Sequence, residues 1–288
     1  MNPRNRRLKQ RLMQPEILIA PGAADALVAK IIERCGFDAV YLTGAGVAYT
    51  TLGKPDMGFI TMSEMVQKAG YIAEAVSIPV IADIDNGYGN ALNVLRTVRE
   101  FERAGVSCLQ MEDQVFPKRC GHLEGKELIS KEEMVAKIKA AVDARTDEDL
   151  MIIARTDALA VEGTEAAIER ALAYKEAGAD ILFVEAPRSE EILRRITAEL
   201  PRPLMANMVE GGKTPLIHSK ELEKMGFDLV IYPGASVRVI AKAVTGLMTE
   251  LKETGTTQGY LDRMFLFNEL NEIVGLPATR ELEQKYRA

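Results

Sequence analysis

Two short stretches carry residue types that could do chemistry: KRCGH, Lys118 to His122, and ADIDNGYGN, Ala82 to Asn90. The first sets a thiol and an imidazole beside two cations in a chain with only three cysteines and two histidines. A free thiol has a pKa of about 8.5, so Cys120 carries a proton at neutral pH and can deliver it as a general acid. In the second stretch, Asp83 and Asp85 are two residues apart and so lie on one side of an extended chain. Gly87 and Gly89 beside them permit close backbone approach. A second pair of carboxylates, Glu112 and Asp113, ends the apolar run CLQM just upstream of KRCGH.

Such residues need a frame, and a recurring phrase supplies it: RCGFDAVYLTG, RAGVSCLQMED, EAGADILFVEAP and KMGFDLVIYPG. Each reads as a helix end, a glycine C-cap, then an unbroken apolar run typical of a strand buried on both faces. Similar runs predict eight strands: Ile17 to Ala20, Ala39 to Leu42, Val80 to Ala82, Cys108 to Met111, Met151 to Ala154, Ile181 to Val184, Leu204 to Ala206, and Leu229 to Tyr232. Charged, periodic segments between them predict helices, including one opening on Ser63 and one on Ser130 as N-caps. Eight strands alternating with helices favour a closed (β/α)8 barrel. An open doubly wound sheet is the alternative, but its GxGxxG fingerprint after the first strand is absent. No linker or low-complexity segment divides residues 1–288, which are read as a single domain with an N-terminal helical extension.

Barrels of this kind place their chemistry at the C-terminal strand ends. Those ends carry Thr43 with Gly44, Asp83 with Asp85, Glu112 with Asp113, Arg155 with Asp157, Glu185, and Asn207. So many carboxylates around one rim call for a compensating cation, and oxygen ligands point to Mg2+ or Mn2+ rather than zinc. The segment NMVEGGKT, Asn207 to Thr214, ends like a phosphate-binding loop, but that pattern needs glycine where Asn207 stands. Gly211, Gly212 and Thr214 remain candidates to contact a substrate carboxylate.

Composition narrows the partners. A chain of 288 residues, 47% of them hydrophobic, can bury a large core. A net charge of −6 and an isoelectric point near 5.3 argue against nucleic acid. The basic start, RNRRLKQR, is read as a solvated helix. No apolar run reaches the length of about 18 residues that a membrane span needs, and no secretory segment is recognised at the start, so a cytoplasmic protein is expected. Three cysteines without CxxC spacing indicate neither disulfides nor a zinc site, and Cys35 and Cys108 are read as buried small hydrophobes.

Matches in order along nearly the whole chain give the sequence a family resemblance: YLTGAGVA, LGKPDMGFIT, ADIDNGYGN, LQMEDQVFPKRCGHLEGK, IIARTDALAVEG, FVEAP, NMVEGGKTP and YPGASVR. It resembles the isocitrate lyase and phosphoenolpyruvate mutase superfamily. The resemblance implies a TIM barrel that exchanges its eighth helix with a neighbour, its C-terminal helices packing on adjacent subunits of a homotetramer built as a dimer of dimers. It implies Mg2+ held directly or through water by Asp83, Asp85 and Glu112, with Asp56 nearby, and a mobile loop around KRCGH that closes over the substrate. Thr43, Gly44, Ala45, Gly121, Arg155, Glu185, Asn207 and Arg238 are the implied contacts to a small carboxylate substrate.

The implied reaction cleaves a 2-hydroxy di- or tricarboxylate to pyruvate and a second acid. Cys120 would be the acid, and Tyr41 the base, provided a metal or cations lower its pKa from about 10. Lys118, Arg119 and His122 would add positive potential around the enolate-like intermediate. The loop cysteine resembles lyases and carboxyphosphonoenolpyruvate mutase, while Tyr41 and Arg238 resemble the lyases. The leading expectation is cleavage of 2-methylisocitrate to pyruvate and succinate. Against it, those enzymes carry TRNEL where this chain reads LFNEL, so Phe267 replaces a cation and 2,3-dimethylmalate becomes an alternative, cleaved to pyruvate and propionate. Carboxyphosphonoenolpyruvate phosphonomutase is another. A barrel retained only for binding or scaffolding is the alternative of a different class, but nothing structural requires Cys120 and the rim carboxylates together.

Overall fold

Eight parallel strands close into a barrel, alternating with helices, in a computed structural model that describes residues 2–287. The strands are β1 (Leu18–Ala23), β2 (Val40–Leu42), β3 (Val80–Asp83), β4 (Cys108–Glu112), β5 (Met151–Thr156), β6 (Ile181–Val184), β7 (Leu204–Asn207) and β8 (Leu229–Tyr232). All eight expected strands are present, with β1 running on to Ala23 rather than stopping at Ala20. They pair in sequence order, and β1 closes on β8 with Leu18 opposite Leu229 and Pro21 opposite Tyr232.

The glycines of the recurring phrase do what their positions predict: Gly36, Gly105, Gly178 and Gly226 have φ of 86°, 89°, 107° and 108°, the left-handed turn that ends a helix and starts the next strand. The strands that follow are apolar throughout because both faces are buried. Leu18, Tyr41, Ile81, Ile153, Phe183, Met205 and Ile231 fill the barrel interior. Their neighbours Val40, Val80, Leu109, Ile152, Leu182 and Val230 pack outwards against helices. Each such side chain contributes about 1.5–3 kcal/mol of burial, so the rim rests on a rigid wall.

Three local expectations are corrected. The N-terminal helix, Pro3–Leu12, is not simply solvated: Leu8 and Leu12 join the barrel-interior cluster, while the cationic face turns outward. The helix expected to open at Ser63 spans Met62–Ala75 and is capped by Thr61 in a capping box with Glu64. Cys35 is exposed at the end of helix Ala26–Arg34, whereas Cys108 is buried as expected. Ser130 caps helix Lys131–Ala144 as the sequence predicts.

Beyond β8 the packing changes. Helices Ala235–Thr254, Phe267–Ile273 and Leu276–Lys285 bury none of their residues in this chain, and apolar side chains such as Val239, Val244, Met248 and Phe267 face outward. Among the described residues, no helix is long and apolar enough to cross a membrane.

Candidate active site

The loop between β4 and helix Lys131–Ala144 folds over the C-terminal mouth of the barrel. Its base is pinned by a bridge between Gln114 and Leu128 and by the Val115 amide donating to the Glu127 carbonyl at 2.9 Å. The Gln114 side chain grips the loop from inside, donating to the Arg119 carbonyl and accepting from the Arg119 amide. The Cys120 amide reaches across to the Asp56 carbonyl at 3.1 Å. Beneath this lid lies a cavity of about 70 Å3.

Its wall brings together Tyr41, Thr43, Ala45, Asp56, Asp83, Cys120, Gly121, His122, Arg155, Glu185, Asn207 and Arg238. Most candidates singled out in the sequence therefore share one space. Gly44, Asp85, Glu112 and Lys118 are buried just beside it. Gly212 abuts the His122 ring, and Thr214 is buried with its hydroxyl unpartnered. Two candidates are not brought in. Arg119 is exposed and its guanidinium donates to the Glu124 carbonyl on the outer side of the loop. Gly211 faces solvent in a left-handed turn. Adjacent positions in a loop point opposite ways, so the cation run around Cys120 could not all face the cavity.

Charge pairing fixes the rim. Lys118 Nζ lies 2.7 Å from Asp56 Oδ1 and 2.8 Å from Asp85 Oδ1. Arg155 grips Asp157 through two nitrogens, at 2.9 and 3.1 Å, and reaches Glu112 Oε2 at 3.1 Å. Burial would raise the Asp157 pKa, but Arg155 and Lys126 outweigh it and hold it at about 2. Three rim carboxylates go the opposite way. Burial lifts Asp83 and Glu112 above their ordinary values and lifts Asp85 to about 6, despite the nearby Lys118. Asp113, grouped with the rim acids by sequence, instead faces the scaffold, accepting from Thr156, Tyr174 and the Asp157 amide.

Cys120 and His122 acquire definite protonation states. Burial pushes the Cys120 thiol upward, so it keeps its proton at neutral pH. Burial pushes His122 downward against the pull of Glu185. The Lys213 amide donates to His122 Nδ1 at 3.0 Å, so a neutral ring carries its proton on Nε2, which faces Glu185 Oε1 at 3.3 Å without good alignment. Asn207 Nδ2 also donates to Glu185. Tyr41 departs from expectation. Its hydroxyl donates to Gln110 Oε1 at 3.0 Å, and burial, reinforced by Asp83, raises its pKa well above 10. The condition for a phenolate base is not met by the side chains around it.

The carboxylates suit a hard divalent cation. Neither Glu112 carboxylate oxygen accepts a well-aligned hydrogen bond, Oε2 having only the Arg155 ion pair at 3.1 Å, and the donors are all oxygen. In this arrangement they do not converge: among the described residues no three His, Cys, Asp or Glu side chains stand together as a ligand group, and the Lys118 ammonium occupies the space between Asp56 and Asp85. Further residues line the cavity that sequence reasoning missed, notably Tyr49, Pro233 and Gly234. Pro233 and Gly234 follow β8 directly, a strand-end position that could have marked them; Tyr49 sits in a π-helical turn, Ala48–Leu52, with no sequence signal.

The profile of the phosphoenolpyruvate phosphomutase family matches residues 8–252. The chain is 54% identical over 280 residues to the 2,3-dimethylmalate lyase of Eubacterium barkeri, covering 97% of each. It is 47% identical over 268 residues to the 2-methylisocitrate lyase of Aeropyrum pernix, covering 93% of this chain and 86% of that one. A crystal structure of a 2,3-dimethylmalate lyase superposes with a TM-score of 0.94 at 38% identity, covering 99% of this chain and 95% of that one. A phosphonopyruvate hydrolase complexed with oxalate and Mg2+ superposes with a TM-score of 0.90 at 31% identity, covering 99% of both. A closed parallel barrel, a thiol lid over a carboxylate rim and likeness along nearly the whole chain agree that this protein belongs to the phosphoenolpyruvate mutase and isocitrate lyase superfamily, as an oxo-acid lyase.

Proposed function

We propose that the protein is a Mg2+-dependent carbon–carbon lyase that cleaves a 2-hydroxy dicarboxylate of the 2,3-dimethylmalate type to pyruvate and propionate. One observation carries the choice of a dicarboxylate: Arg155 and Arg238 are the two cations in the cavity wall among the described residues. With Mg2+ facing the 2-hydroxy acid group and Arg155 already paired with Asp157 and Glu112, Arg238 is the cation left for the far end of the substrate, a match for one further carboxylate rather than two. Phe267, at the position where the family resemblance implies an arginine, is apolar and 80% exposed in this chain. The likeness to a 2,3-dimethylmalate lyase supports the same choice, which sets this substrate ahead of 2-methylisocitrate.

Asp83, Asp85 and Glu112 would hold Mg2+, directly or through water, with Asp56 beside them. Bound there, the ion supplies a Lewis acid for the substrate's 2-hydroxy acid group. The chain's own residues do the rest. Arg155, locked by Asp157 and Glu112, presents a fixed cation to one carboxylate; Arg238, tethered to Glu210 at 2.8 Å, presents another. The 2-hydroxyl proton passes to a carboxylate of the cavity wall, Glu185 being the one outside the proposed ion site, and C2 becomes the carbonyl of pyruvate as the C2–C3 bond breaks. The electron pair left on C3 takes the proton of the Cys120 thiol, giving propionate. The lid excludes water from that carbanion while Cys120 is in place.

We also propose assembly in a homotetramer, built as a dimer of dimers that exchange C-terminal helices. The unburied apolar side chains of helix Ala235–Thr254 support this reading, since a barrel normally packs its last helix against its own sheet.

The test is product identification. Incubation with Mg2+ and 2,3-dimethylmalate should yield pyruvate and propionate in equal amounts by proton NMR. Absence of either product, at enzyme concentrations that bind Mg2+, contradicts the assignment.

A further inference from the structure

The loop that carries Cys120 is held down by a residue outside the reacting set. Lys126 is buried, and its Nζ donates to the Gly121 carbonyl at 2.6 Å and to Asp157 Oδ1 at 2.8 Å. Its two partners belong to different parts of the molecule. Asp157 follows β5 and is anchored by its backbone amide to Asp113 at 2.9 Å and by its carboxylate to Arg155. Gly121 sits in the lid, between Cys120 and His122.

Lys126 itself stands at the fixed base of the loop, next to Glu127 and two residues before Leu128, whose backbone pairings pin that base. Gly125 before it has a φ of 76°, a left-handed turn that lets the chain double back and bring the ammonium under the lid. The ammonium is therefore a stationary post, ionically tied to the barrel rim. Of its two partners, the Gly121 carbonyl is the one carried by the lid. The approach is close at the same residue: a Cβ on Gly121 would overlap the Glu185 carboxylate and the Arg155 guanidinium.

We propose that Lys126 is a positioning residue, a latch that selects the closed lid by binding the Gly121 carbonyl and so sets Cys120 over the cavity. It touches no reacting atom in this scheme. A charge-assisted hydrogen bond made only in the closed state weights that state by roughly tenfold to a hundredfold. Its Asp157 contact persists in both states and contributes nothing to the difference.

The three cysteines provide the readout, because they differ in burial: Cys35 is exposed, Cys108 is buried in the barrel, and Cys120, carried by the lid itself, is half-buried. The full-length protein and its Lys126→Met variant are treated with iodoacetamide, and alkylation of each cysteine is timed by peptide mass spectrometry. Cys35 calibrates the reagent and Cys108 reports opening of the barrel. The latch predicts that Cys120 alkylates about tenfold or more faster in Lys126→Met, with Cys35 and Cys108 unchanged, and that Lys126→Arg restores part of the protection. It also predicts that kcat falls by a similar factor in Lys126→Met while the affinity for Mg2+ does not change. An unchanged Cys120 rate overturns the proposal. So does a rise matched by Cys108 in Lys126→Met and in Lys126→Gln, since Lys126 would then act only through stability. The alkylation rates need no turnover, so they stand apart from the substrate assignment.

Discussion

At Cys120, burial keeps a proton on a group that would otherwise begin to lose it just above neutral pH, and a proton donor is what the carbanion requires. Cys120→Ser keeps the size and removes the acid, so kcat should fall by about a hundredfold or more with KM little changed in steady-state assays. In the wild type, burial raises the thiol pKa, so the alkaline limb attributable to this group should lie at higher pH than a solvent-exposed thiol would give. Glu112 poses the reverse problem. Its folded-state pKa lies above 4.5, so the folded protein retains a proton that the unfolded chain has lost, and stability falls as pH rises from about 4.5 into the range of the raised value. Glu112→Gln is free of that penalty. In excess chelator it should melt at or above the wild-type temperature at pH 7, with the advantage vanishing towards pH 4. Saturating Mg2+ should stabilise the wild type, by about 2.7 kcal/mol at a hundred times Kd, and leave the variant nearly unmoved. Equal Mg2+ stabilisation of both would remove Glu112 from the ion site.

At the scale of elements, the lid loop and the strand ends act as one device. Gly121→Ala places a methyl group against Glu185 and Arg155, so the lid cannot seat while the barrel beneath is untouched. We expect kcat/KM to fall by about a hundredfold, the effect of a misplacement of about 1 Å, with stability within about 0.5 kcal/mol of wild type by denaturant unfolding. Unaltered kcat/KM would mean that the closed lid has no part in turnover. The barrel itself was legible in the sequence because one local rule repeats: a glycine that must turn left-handed, then a run apolar on both faces. The strand-end residues followed from that register, and Asp83, Arg155, Glu185 and Asn207 all reach the cavity. Side-chain direction was not legible. Nothing in KRCGH says that Lys118 turns inward to Asp56 and Asp85 while Arg119 turns out. Strand alternation sends Glu112 and Asp113 to opposite sides, but the pair itself does not say which of them turns towards the cavity and which towards the scaffold. Tertiary packing also decided the N-terminal helix, where two leucines among cations were enough to dock it at the barrel.

At the scale of the molecule, the apolar C-terminal helices left without cover imply an assembly. Light scattering should give a mass of about four times the 31.7 kDa chain, and Val244→Glu, at an exposed apolar position of helix Ala235–Thr254, should shift it towards smaller species. A monomeric wild type would contradict the exchange of helices. The proposed substrate is argued at the same scale, because charge inside a closed lid must balance. The comparison that bears most directly on the account is the ratio of kcat/KM for 2,3-dimethylmalate to that for 2-methylisocitrate, measured as Mg2+-dependent pyruvate release. With two cations in the cavity wall, the account predicts a ratio above about ten, the discrimination expected when one carboxylate is buried unpaired. A ratio below one, or pyruvate from neither acid, would contradict it.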